Sequence, residues 1–164
     1  MELHQKLELV FDVEAELRGQ GADAAILRAR RPGLVKITEE AQQASLSLLR
    51  PAVLYEEFRA EGVRHERLPL QDGHAIQSRL VAHRLAGANR VIVILATIGD
   101  RLEEHVSKIW DDNRMYALAV DGAGSAAVET LANAACQFIG QQAPEKGLQV
   151  SIPLSAGMVY RPDV

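Results

Sequence analysis

The chain has 164 residues, 48% of them apolar and 24% charged, with a net charge of −4. That balance suits one folded domain with a sizeable core and argues against a disordered chain. Aromatics are only 4%, and no stretch gathers cations beyond Arg28-Ala29-Arg30-Arg31; duplex nucleic acid, which demands a concentrated cationic surface, is excluded as a partner.

Leu7 to Phe11 reads as a short first strand. Asp12 then caps a helix carrying Val13 and Leu17, which ends at Gly19-Gln20-Gly21. A second helical piece spans Ala22 to Arg30 and is closed by Arg31-Pro32-Gly33. Thr38 is the expected N-cap of a third helix, with Glu39 and Glu40 in its first turn and Pro51 as its stop. Ala52–Ala60 and Val63–Leu70 flank Glu61-Gly62 and suggest a hairpin.

Asp72 is the expected cap of a helix with Ile76, Leu80 and Leu85 on its apolar side, ending at Gly87. Val91 to Leu95 is the clearest strand. Its β-branched run lacks polar alternation, so a central strand covered on both faces is expected. Asp100 begins a helix through Leu102, Val106, Ile109 and Trp110, and an Ala-rich segment runs from Met115 to Ile139. Leu148 to Ile152 reads as a last strand before a loose tail. The order is neither a regular βαβ series nor a helix bundle. One α+β domain over residues 1–164, a mixed sheet flanked by helices, is the expected architecture.

Membrane and secretory signals are not evident. Met1 is followed by a mixed polar opening, and the longest apolar run, Val91 to Ile98 with Thr97 inside it, is far below the ~20 residues of a span. The single cysteine, Cys136, can form no intrachain disulfide. A cytoplasmic location is expected. His4, His65, His74, His83 and His105 show no metal-ligand spacing, and Cys136 sits among apolar residues where a thiol is inert.

Three segments could carry binding chemistry. Gly122-Ala123-Gly124-Ser125-Ala126-Ala127 satisfies G-x-G-x-x-A, a pattern that lets backbone approach a pyrophosphate, provided a strand precedes it. The favoured alternative is that these small residues sit within or near the start of a long helix and let another element pack closely against it. Ala96-Thr97-Ile98-Gly99-Asp100 turns from strand to helix, where backbone N–H groups and a Thr hydroxyl make either a polar pocket or an ordinary capped turn. The third is the tail from Pro153 to Tyr160, whose Ser155-Ala156-Gly157 turn could bring main-chain groups to a small ligand or could equally be a plain exit loop.

Taken in order, Val91–Gly99, Asp121–Glu129 and Ser151–Met158 resemble the activation domain of cobalamin-dependent methionine synthase and its short stand-alone relatives. The likeness is best from about Ile76 to Met158. It implies a twisted, largely antiparallel sheet and a shallow groove for S-adenosylmethionine. The cobalamin would be carried by a partner, a corrinoid methyltransferase or methionine synthase subunit, and a flavodoxin-like donor would supply an electron for reductive reactivation. Carried over residue by residue, the resemblance implies ligand contacts at Glu129, Ser155, Ala156, Gly157 and Met158, with Thr97 and Gly99 at the groove's edge. The chain departs from the family where Pro153 replaces an arginine and Met158 a tyrosine; Arg161 lies nearby. An S-adenosylmethionine-binding accessory domain is therefore the leading expectation. The alternatives are an interaction module that has lost the ligand, or a small nucleotide-binding enzyme built on Gly122.

Overall fold

The structure, a computed structural model, describes residues 2–4, 17 and 24–155. The expected strand at 7–11, the Asp12 cap and the Gly19–Gly21 stop lie outside the described residues. The elements in chain order are β1 (Glu2–His4), α1 (Ala24–Arg30), α2 (Pro32–Ser45), β2 (Ala52–Arg59), β3 (Arg67–Pro69), β4 (Ala75–Gln77), α3 (Arg79–Arg84), β5 (Arg90–Thr97), α4 (Arg101–Ile109) and α5 (Arg114–Gln142). The class is α+β, as expected from the sequence. One sheet has the order β1-β2-β5 and a second pairs β3 with β4.

By contacts the chain forms two compact units. Of the described residues, those up to 54 together with 94–135 make a helical unit, and 55–93 with 136–155 make a hairpin unit. β2, β5 and α5 each begin in one and end in the other.

In the helical unit, Ala41, Leu49, Leu102, Ala119, Val120 and Ala127 form a buried cluster, joined by Ile37, Ile98, Val106, Ile109 and Tyr116. A second cluster sets Val53 against Leu131 and Ala135, with Ile94, Ala96 and Ile98 around them. Helix α2 begins at Pro32 and not at Thr38. Proline at the first helical position has its φ preset and loses no needed N–H, so the apparent stop is a start. Thr38 lies inside, where its hydroxyl donates to the Leu34 carbonyl at 3.1 Å, and Ser45 does the same to Ala41 at 2.7 Å.

Helix α5 opens on Asn113, whose side-chain oxygen accepts from the Tyr116 N–H at 3.1 Å. It then runs unbroken for 29 residues, with Gly122, Ala123 and Gly124 all buried inside it. No strand therefore precedes Gly122 and no loop forms there, which rules out the phosphate-binding turn.

The hairpin unit has its own small core of Leu68, Leu70 and Val91, backed by Phe58, Ile76 and Leu85. The chain turns back at His65-Glu66 rather than at Glu61-Gly62: Arg64 and Arg67 exchange backbone bonds at 2.8 and 3.0 Å, and the two residues between them have φ +49° and +63°. That is a two-residue turn of the I′ kind. Ala60 bridges Leu70 farther down, but the ladder of β3 is made with β4, in antiparallel register from Arg67↔Gln77 to Pro69↔Ala75.

Asp72 caps no helix. Its carboxylate accepts the His74 N–H at 3.0 Å and closes the β3–β4 turn, while Ile76 lies in β4. The cap of α3 is Ser78, which accepts from Val81. Leu148–Ile152 joins no ladder among the described residues, and Val150 and Ile152 stay exposed.

Strand β5 also differs from expectation. Backbone bonds from Arg50 to Ile98 and from Ala60 to Asn89 place the start of β2 beside the end of β5 and the end of β2 beside its start. The pair therefore runs antiparallel. β2 is the middle strand, and β5 is the last in its sheet among the described residues. Val93 and Leu95 are 47% and 64% exposed, while Ile92, Ile94 and Ala96 on the alternate face are half-buried. The apolar run hid a strand that has one solvated face.

Candidate functional site

The exit of β5 supplies the first candidate residues. Thr97 is exposed, and its hydroxyl oxygen accepts the Gly99 N–H at 3.1 Å. Gly99 has φ +81°, a backbone region costly to any residue with a Cβ. A Cβ there would also stand 3.0 Å from that of Arg50. The Ile98 carbonyl accepts the Arg50 N–H at 2.7 Å. The Gly99 N–H is thus bonded within the turn and the Ile98 carbonyl to Arg50, while the Thr97 hydroxyl proton is left to donate. Asp100 follows as the N-cap of α4, although its side chain makes no capping bond.

Two of the three segments of the resemblance meet here. A Cβ at Gly124 would fall 2.9 Å from a Leu102 methyl and 3.5 Å from one of Ile98. Glycine at this position is what lets α5 approach the β5–α4 turn. Sequence reasoning missed Arg50, Ile98 and Leu102 as the partners of these glycines, because no local pattern marks contacts so distant along the chain.

Glu129 sits on the other side of the helix. At ~100° per residue it lies about opposite the stripe of Val120, Gly124, Ala127 and Leu131 that faces the core. Those four are buried and Glu129 is exposed. Glu129 is thereby turned away from the face of α5 that packs on Ile98 and Leu102. Pro153 and Ser155 are exposed and lie in no helix or strand of the hairpin unit. Ala156, Gly157, Met158 and Arg161 lie outside the described residues.

Cys136 is partly buried, and desolvation raises its thiol pKa above the usual value. That makes it a poor nucleophile at neutral pH. Among the described residues, no group of three His, Cys, Asp or Glu side chains could hold a metal ion, and no helix is long and apolar enough to cross a membrane. No protein-family model matches the chain, and no curated protein is significantly similar to it.

Proposed function

We propose that this chain is an accessory, non-catalytic module of a cobalamin- or corrinoid-dependent methyl-transfer system, similar in kind to the activation domain of methionine synthase. The observation that carries the reading is the packing of Gly124 on Ile98 and Leu102, which joins two of the three segments on which the resemblance rests. The position of Glu129 and the proline at 153 favour a version that docks without a ligand. Proline has no donor for a ligand carboxylate, where arginine would offer a fork.

The test is capture of a corrinoid protein by the immobilised chain, with the cobalamin present and removed. Retention that depends on cofactor state supports the proposal; equal retention, or none, counts against it.

A second reading keeps S-adenosylmethionine, bound in the reductive reactivation of the partner. It is supported by the exposed Ser155 in the segment that leads to Gly157. In that case the bound molecule supplies a methyl group, and the chain's part is to orient it. Calorimetric titration with S-adenosylmethionine separates the two readings. Saturable heat establishes the second, and silence at millimolar ligand leaves the docking module alone.

A further inference from the structure

We propose that the groove between the His65-Glu66 turn and the β4–α3 junction is a binding site for a small oxyanion, phosphoryl or carboxylate. It goes beyond the accessory role above and shares no residue with it. The groove is open to solvent, has a volume of about 390 Å³ and is lined by His65, Glu66, Arg67, Gln77, Ser78 and Arg79, all in the hairpin unit. That volume suits a small metabolite.

Charge favours an anion. Arg59–Arg84 carries five arginines against three acids, in a chain whose net charge is −4. Within the groove, the Arg67 guanidinium donates through one Nη2 to the Gln77 amide oxygen at 3.0 Å. A neutral amide orients that fork without cancelling its charge. Arg79 meets Glu66 through Nε at 3.5 Å, which leaves its two terminal nitrogens for another acceptor. The Ser78 oxygen accepts from Val81, and its own proton remains to donate. Planar guanidinium forks hold carboxylate and phosphate oxygens with two bonds each, which is the chemistry this arrangement offers.

The hairpin also gives up stability to hold these groups in place. Both central residues of the I′ turn are non-glycine at positive φ, where Asn-Gly is the relaxed choice. Arg64 and Arg67 are bridged directly opposite each other, an unfavourable like-charged cross-strand pair. An oxyanion held in the groove by Arg67 would offset part of that repulsion.

The test is an NMR titration of the whole chain with inorganic phosphate, and separately with acetate, at ionic strength held constant with chloride. Saturable shifts confined to the amides of residues 64–67 and 77–79 are expected, and the anion that produces them identifies the preferred oxyanion. Arg67→Gln should weaken the response at least fivefold. Glu66→Gln, which removes a competing carboxylate and frees Arg79, should tighten it severalfold. Both side chains are exposed, so neither change threatens the fold. Shifts scattered over the surface, no response to either anion, or indifference to both substitutions would overturn the site.

Discussion

Gly99 carries two constraints at once: φ of +81° and a neighbouring side-chain carbon 3.0 Å from where its Cβ would be. Gly62 and Gly73 share the positive φ but have open space around them. Gly99→Ala should therefore lower stability by about 2 kcal/mol, with the left-handed backbone contributing about 1 and the contact with Arg50 the rest. Gly73→Ala should lose only the backbone part. Denaturant midpoints of the two variants compare them directly, and equal losses would show that Arg50 yields freely. The I′ turn offers the opposite sign. Replacing His65-Glu66 with Asn-Gly should raise stability by about 1 kcal/mol, because the relaxed residues remove the left-handed penalty. Capping was only partly legible at this scale. Asp100 stood out because an acid precedes an apolar stripe. Asn113 and Ser78 did not, since each cap is defined by a backbone N–H three residues on, and Asp72 could as well have capped a helix as closed the turn it does close.

At the scale of elements, α5 shows how one helix divides its work. Leu131 is 1% exposed and packs on Val53, so Leu131→Ala should cost about 2–5 kcal/mol, the range for an emptied core leucine. Glu129, two residues away on the opposite face, should tolerate alanine within about 0.5 kcal/mol. If calorimetry nonetheless shows S-adenosylmethionine binding that Glu129→Ala abolishes, the docking-only reading fails while the stability result stands. The helix was legible as a long Ala-rich run. The glycines at 122 and 124 left a phosphate loop open as the lesser alternative, because they read locally as breakers. Only Leu102 and Ile98, brought close by tertiary packing, show why small residues are required there. β5 misled for a related reason: Val93 and Leu95 are apolar but solvent-facing, and periodicity sees composition before exposure.

Across the whole molecule, the division into two units raises the question of whether they melt separately. Three elements pass between the units in covalent continuity, and α5 does so between Ala135 and Cys136 without leaving its helix. A helix is held by consecutive i→i−4 bonds, so fraying one half removes support from the turns that follow. The hairpin unit's core of Leu68, Leu70 and Val91 is too small to hold its share of α5 ordered once the helical unit has melted. One cooperative transition is therefore expected. The chain carries a probe for each unit: its single tryptophan, Trp110, reports on the helical unit, and its single cysteine, Cys136, belongs to the hairpin unit. The Cys136 thiol is partly buried with a raised pKa, so at pH 7 it should react slowly with a disulfide reagent and fast once exposed. Heating with Trp110 fluorescence and pulsed thiol labelling followed in parallel should yield coincident midpoints. A labelling transition several degrees below the fluorescence one would mean that the hairpin unit opens on its own, and that the groove at Arg67 is carried by an independently melting piece of the chain.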